Sequence, residues 1–223
     1  MTTFSPGAAS SVATSIGDRL KVETADLHTR AEKSPLQAAL VQGRLSREAY
    51  AGFLGQMLLV HEALERAVSG AACSHPAVAA IWSDEQRKAP LVREDLVFYG
   101  VDPSSVAPLA ETRAVIDLIG SRTTADPVAS IGMHYVLEGA NNGNQFIARV
   151  IRKVYALDGA DGTKSLDPYG TRQREAWASW KASLNAQAFT AVEQDRIVEG
   201  AAAMFQAIID VSDAVWRSVG KEV

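Results

Sequence analysis

The stretch YVLEGANNGNQFI, residues 135–147, interrupts a helical pattern with a dense group of glycines and asparagines. Both residue types are poor in a helix interior, so we expect a helix over about residues 126–156 to bend here. Gly139 and Gly143 are four residues apart and share one helix face, which they leave without side chains. Either another helix packs closely on that face or a flat ligand lies on it. The asparagines favour the ligand, because buried helix contacts seldom need several amides.

Helical spacing continues on both sides of this bend. The pattern predicts helices over residues 16–33, 46–69, 83–99, 107–121, 172–184 and 190–218, a short helix that begins at Ser34 and Pro35, and a loop over 157–170. Sustained alternation of polar and apolar residues, which is typical of strands, does not occur. The sequence therefore predicts an all-α fold, with a flexible tail over residues 1–15 and one domain over 16–223.

Composition narrows the classes of protein. The net charge of -4 argues against a nucleic-acid-binding surface, and no apolar run is long enough to span a membrane. The single cysteine, Cys73, cannot form an internal disulfide, and the amino terminus lacks the features of a signal peptide. We therefore expect a cytoplasmic protein.

The sequence also lacks a GxSxG elbow, a phosphate-binding glycine loop, a dinucleotide fingerprint and paired zinc cysteines, which removes the enzyme classes that carry them.

His28 is the histidine that most resembles a metal ligand. Glu32 lies four residues later on the same helix face, where its carboxylate can accept the Nδ1 proton and leave Nε2 free for a metal. The same spacing also fits an ordinary surface pair of histidine and glutamate.

The other three histidines have simpler interpretations. His61 belongs to an apolar stripe and is expected to be a hydrogen-bonded core residue, while His75 precedes a proline and is expected to be exposed. His134 and Glu138 are four residues apart, which fits either a pair of metal ligands or a surface ion pair.

The segment LKVETADLHTRAE, residues 20–32, resembles the proximal helix of the biliverdin-producing heme oxygenases, especially the bacterial type associated with bacteriophytochromes. In that helix a histidine followed by Thr, a variable residue, Ala and Glu supplies the axial ligand of the heme iron. The resemblance implies that His28 is this ligand, that Glu32 is its partner, and that Lys21 contacts a heme propionate.

Residues 135–147 are similar to the distal helix of the same family, in which two glycines four residues apart bend the backbone over the heme. The resemblance implies this role for Gly139 and Gly143 and places Tyr135 among the heme-binding residues. Weaker similarity over residues 93–102 and 177–184 extends the match to nearly everything after residue 15. It implies further propionate contacts on the penultimate helix, from Lys181, Arg172 and Arg174.

The distal segment departs from the family pattern at two positions. Ala140 stands where mammalian-type members have Asp and several bacterial members have Ser, and Asn144 stands where a second Gly is common. A polar group at the first of these positions helps to hold distal water. We expect Asn142, or the nearby amides of Asn141, Asn144 and Gln145, to hold that water instead.

The resemblance implies a heme oxygenase that cleaves heme, both cofactor and substrate, to biliverdin, carbon monoxide and iron. It would use dioxygen and electrons from a separate reductase, and a bacteriophytochrome is a candidate biliverdin acceptor. Ala140 and Asn144 leave a second function open, which is heme storage, sensing or transfer without cleavage. Non-heme members of the same helical superfamily are a third alternative. For these, the available residues are the poor diiron set His61, Glu62, His134 and Glu138, or Cys73 as a thiaminase-like nucleophile.

Overall fold

A computed structural model describes residues 15–219 of the chain, and over this range the secondary structure is helical without strands. The helices are α1 Ile16–Glu23, α2 Ala25–Glu32, α3 Pro35–Val41, α4 Arg47–Ser74, α5 Pro76–Ile81, α6 Ala89–Phe98, α7 Ala110–Ala125, α8 Ala129–Gly139, α9 Asn141–Val154, α10 Gln173–Asn185 and α11 Ala191–Val219. The predicted all-α fold is confirmed. The predicted tail lies outside the described residues except for Ser15, whose side chain caps α1.

Several helix starts follow the predicted capping residues. The Ser34 and Ser46 side chains accept hydrogen bonds from the backbone at the starts of α3 and α4. At the start of α11, the Glu193 backbone N–H donates to Thr190 Oγ1, while Glu193 Oε2 accepts from the Thr190 backbone N–H at 2.7 Å. This reciprocal pair is the capping box that the sequence predicts.

Several predicted helices are wrong in their extent. The helix α4 continues to Ser74, beyond the predicted end at residue 69, and α7 covers Ala110–Ala125 instead of 107–121. Two further differences have a clear physical cause. The helix expected over 16–33 divides at Thr24, whose Oγ1 donates to the Leu20 carbonyl at 2.6 Å and competes with the backbone for that acceptor. The helix expected from Ser83 starts only at Ala89, because Pro90 lacks an N–H and fits in the first turn but not in the interior. The segment before it is a short 3₁₀ turn, Asp84–Gln86.

Close packing of α8 against α11 forms the centre of the domain. Two glycines permit this approach, since a Cβ at Gly132 would lie 1.8 Å from the Ile197 carbonyl oxygen and a Cβ at Gly200 would lie 2.4 Å from that of Ala129. The helices α4 and α7 pack on this pair, α6 packs on the outer side of α4, and their buried aliphatic side chains join one continuous core. The amino-terminal half of α8 is therefore held close against α11, and α8 ends at the predicted bend.

The remaining contacts connect the amino-terminal helices and α10 to the centre of the domain. The helices α2 and α3 pack on α11, while α10 packs on both α1 and α9. The helix α10 therefore links the α1–α2 side of the molecule to the α8–α9 side. Among residues 15–219, no helix is long and apolar enough to cross a membrane.

Candidate functional site

His28 lies at the protein surface on α2. Its side chain is 57% exposed, and its Nδ1 atom is 3.6 Å from Glu32 Oε2. The ring also packs edge-on against the Phe205 ring of α11, with 5.7 Å between centroids. The Glu32 carboxylate thus lies beside Nδ1, just beyond hydrogen-bond distance, while Phe205 limits the tilt of the ring, and we expect Nε2 to be the nitrogen available to a metal.

The predicted bend is present as a break between α8 and α9 at Ala140. The two glycines on either side of it differ in their surroundings. A Cβ at Gly139 would lie 3.3 Å from the Trp177 ring of α10, whereas a Cβ at Gly143 would meet no atom within 4 Å. Helix packing therefore accounts for Gly139, while the bare strip at Gly143 faces open space that a flat ligand can approach.

The amides around the break mostly bond to the protein itself. Asn142 is exposed, and its Nδ2 donates to the Gly139 carbonyl at 2.9 Å while its Oδ1 accepts from Gln173 Nε2 at 3.2 Å. Gln145 Nε2 donates to Asp167 and to the Gly170 carbonyl. These bonds connect the start of α9 to the end of α8, to α10 and to the loop between α9 and α10. An Asn142 amide with both ends used once still has one N–H and one lone pair for water.

An aromatic cluster lies beside the break. The Trp177 and Trp180 rings of α10 stack at 5.3 Å with an interplanar angle of 9°, and Tyr135 packs on both. Tyr135 is half-buried, and burial raises the pKa of its hydroxyl. The Trp180 Nε1 atom is buried without a hydrogen-bond partner among the described residues. This cluster gives the break an apolar wall on the α10 side.

The cations predicted to bind propionates lie at several places. Lys21 is exposed on α1, which packs on α10. Lys181 on α10 lies 5.6 Å above the Trp177 ring, Arg174 is exposed, and Arg172 is bound to Glu85 at 2.7 Å. The structure thus places Lys21 and Lys181 on adjacent helices, whereas Arg172 already has an anionic partner.

Two of the remaining three histidines differ from their predicted surroundings. His61 is buried as expected, but His75 is half-buried rather than exposed, with its Nε2 3.5 Å from Glu193 Oε1. His134 and Glu138 are also buried, so the interpretation of this pair as a surface ion pair is wrong. The ring of His134 lies between Trp82 and Trp180.

A buried polar cluster behind the break was not predicted from the sequence. A small cavity of about 10 Å³ is lined by His61, Glu65, Lys88, His134 and Glu138, together with Leu64, Gln86 and Leu137. A space of this size holds about one water molecule. Lys88 in the QRKAP segment resembles an ordinary surface lysine, and only tertiary packing brings it here. Within residues 15–219, no group of three or more His, Cys, Asp or Glu side chains is arranged to hold a metal ion.

Burial dominates the electrostatics of this cluster. It lowers the pKa of Lys88 to about 8, although nearby Glu138 and Glu65 oppose the shift. It also lowers the pKa of His134 to about 3, with the Lys88 charge adding to the effect, and raises the pKa of Glu138. Both His134 and His61, whose pKa is lowered for the same reasons, are therefore neutral at pH 7.

Comparison with known proteins identifies the family of the chain. The model of the heme oxygenase family, described as "Heme oxygenase", matches residues 14–214. The heme oxygenase of Takifugu rubripes is 24% identical over 203 residues, which cover 88% of this chain and 72% of the relative. Heme oxygenase 2 of Synechocystis is also 24% identical, over 221 residues that cover 93% of this chain and 87% of the relative.

The fold agrees with this match. The crystal structure of heme oxygenase-1 from the cyanobacterium Synechocystis, solved in complex with heme, has a TM-score of 0.84 at 19% identity, covering 93% of this chain and 95% of that chain. At this identity the likeness concerns the fold, whereas the family model concerns the sequence over most of the chain. From its sequence and its fold together, the chain belongs to the heme oxygenase family.

Proposed function

We propose that this chain carries out the heme oxygenase reaction with His28 on the proximal side of the heme and the α8–α9 break on its distal side. Heme oxygenases cleave heme to biliverdin, carbon monoxide and iron, with heme as both substrate and cofactor, dioxygen as co-substrate and electrons from an external donor. The observation that supports this placement is the open backbone at Gly143, where an added Cβ would meet no atom within 4 Å, because a planar ligand needs close approach to a helix backbone.

The residues of the candidate site fit a heme. An iron porphyrin needs an axial nitrogen ligand, a flat apolar contact surface and cations for its two propionates. His28 offers Nε2 from an exposed ring, and Tyr135 and Trp177 offer aromatic surface beside the break. Lys21 and Lys181 offer cations from two adjacent helices.

Each of these residues has a defined task in the proposed reaction. Bound heme supplies the iron that activates dioxygen and the ring that is oxidised. Glu32 would accept the Nδ1 proton of His28 after a small side-chain rotation, which would leave the Nε2 lone pair for the iron. Gly143 admits the heme plane close to the backbone, which excludes bulk water from the distal face. The free N–H and lone pair of Asn142 hold a water that delivers protons there.

The reaction also implies partners. Because electrons come from outside the chain, we propose a separate reductase that docks on it, and a bacteriophytochrome as a candidate acceptor of the released biliverdin. We further propose that the protein works in the cytoplasm.

One observation favours a second candidate function. Ala140 is exposed at the break and has no polar side chain. The Asn142 amide already donates one hydrogen bond to the Gly139 carbonyl and accepts one from Gln173. If these amides hold no distal water, heme would bind without being cleaved, as in a storage or transfer protein.

Titration of the heme-free protein with hemin tests heme binding, and later addition of reductant in air separates the two candidates. We expect a Soret band that saturates at one heme per chain, followed by its loss and by biliverdin absorption. A saturating band that survives reductant supports the second candidate. Absence of a saturating band contradicts both.

A further inference from the structure

We propose that Lys88 is a positioning residue for the distal break, which it holds in shape through Asn141 and Glu138. This inference deepens the proposed function, since the break matters to catalysis only if heme lies against it. The effect of Lys88 on the break can nevertheless be measured in protein without heme, independently of the proposed function.

The geometry consists of a buried chain of three side chains. Lys88 is 4% exposed, and its Nζ donates to Oδ1 of Asn141, the first residue of α9. The Nδ2 of Asn141 donates in turn to Glu138 Oε2, at 3.2 Å, in the last turn of α8. The Asn141 amide thus lies between an ammonium and a carboxylate, and an amide can accept from the first while it donates to the second. The Asn141 side chain therefore joins α9 both to the last turn of α8 and to Lys88.

Lys88 is itself fixed to another helix. Its backbone N–H donates to Glu65 Oε1 at 2.7 Å, and the N–H of Ala89 donates to the same oxygen at 2.8 Å. Glu65 lies on α4 and is buried. The contacts therefore form a continuous path from the long helix α4 through Lys88 to both sides of the break.

Charge explains why the path depends on the lysine. Among the residues that line the cavity, Lys88 is the cation, while Glu65 and Glu138 are the acids and the imidazoles of His61 and His134 are kept neutral. Without the ammonium, Asn141 loses the donor to its Oδ1, and the buried carboxylate of Glu138 loses its compensating charge. We expect the start of α9 to become mobile even where the rest of the fold persists.

The test measures hydrogen exchange in heme-free protein for peptides that cover residues 139–148. The variants are Lys88→Met and the double variant Lys88→Met with Glu138→Gln. The double variant also removes the Glu138 carboxylate, which Lys88→Met alone would leave buried without its compensating charge, and so protects the experiment against a simple failure to fold. Lys164→Met is the control, because it removes a lysine that pairs with Glu94 and Asp161 in an exposed position.

We expect exchange at residues 139–148 to be at least about tenfold faster in both Lys88 variants, with α4 and α11 protected as in the wild type in the double variant. Lys164→Met should leave exchange at the break unchanged. Wild-type exchange at the break in the folded double variant would overturn the proposal. So would equal acceleration in every helix, because that result means a general loss of stability.

A second readout uses the products of heme cleavage. If the α8–α9 break is displaced, the ratio of biliverdin isomers should change, because this ratio reports which meso carbon is attacked. General instability would instead lower the yield of biliverdin without changing the ratio. An unchanged ratio in the double variant would contradict a role in catalysis. If the wild type makes no biliverdin, the proposed function fails, and the exchange measurement alone decides whether Lys88 positions the break.

Discussion

The Nδ1 atom of His28 lies 3.6 Å from Oε2 of Glu32, on an exposed turn of α2 that packs on α11. This relationship separates the two ring nitrogens by function. One is directed at a carboxylate of the same helix, and the other is left for a ligand from outside the protein.

Replacement of His28 by alanine should therefore remove the axial ligand of bound heme. We expect the Soret maximum to shift and hemin affinity to fall by at least about tenfold, with partial return of the wild-type spectrum when free imidazole is added. His75→Ala is the matched control, since His75 instead contacts Glu193. An unaltered spectrum in His28→Ala would mean that another side chain binds the iron.

Gly143→Ala should separate heme binding from protein stability. The added methyl meets no atom within 4 Å in the structure. We therefore expect the free energy of unfolding to be about 0.5 kcal/mol higher than in the wild type. Heme affinity should nevertheless fall, because the methyl occupies the strip on which the ligand lies. Gly120→Ala in α7, which also meets no atom within 4 Å, is expected to add similar stability and leave heme binding unchanged. Equal heme binding by the two variants would place the heme elsewhere.

The buried imidazole of His134 predicts acid sensitivity of the heme-free fold. Its pKa is about 3 in the folded protein because of burial, whereas an unfolded histidine titrates near 6.5. The unfolded state therefore binds more protons between these values, and stability falls as the pH drops through this range. Between pH 7 and pH 5 this group accounts for a loss of about 2 kcal/mol.

Urea unfolding at pH 7 and pH 5 checks this value in the wild type and in His134→Phe, which keeps an aromatic ring between Trp82 and Trp180. We expect the variant to lose less stability on acidification than the wild type. If both proteins lose the same amount, the His134 imidazole is already charged in the native state at pH 5, and our description of the cavity is wrong.

Local spacing was sufficient to predict the features that depend on one helix. The pairing of His28 with Glu32 follows from a four-residue step, and the break near Gly139 follows from residues that weaken any helix interior. Both are confirmed. The capping box at Thr190 follows from equally local rules.

Features that depend on two distant segments could not be predicted in this way. The sequence does not reveal that Trp177 covers Gly139, or that Lys88 is buried against Asn141, because these contacts join residues far apart in the chain. The positions where helices begin and end are harder to predict than features within one helix, and easier than contacts between distant segments. Thr24 stops α1 through a side-chain bond to its own backbone, which competes with a periodicity that favours a continuous helix.

The central claim is that heme bound between His28 and the distal break is cleaved despite the alanine at position 140. A single-turnover reaction tests it most directly, with hemin-loaded protein, a chemical reductant, dioxygen, an iron chelator, and catalase to remove free peroxide. The products are identified by chromatography and by the visible spectrum. We predict one biliverdin and one chelated iron per heme. Heme that remains intact in the presence of catalase would contradict the claim.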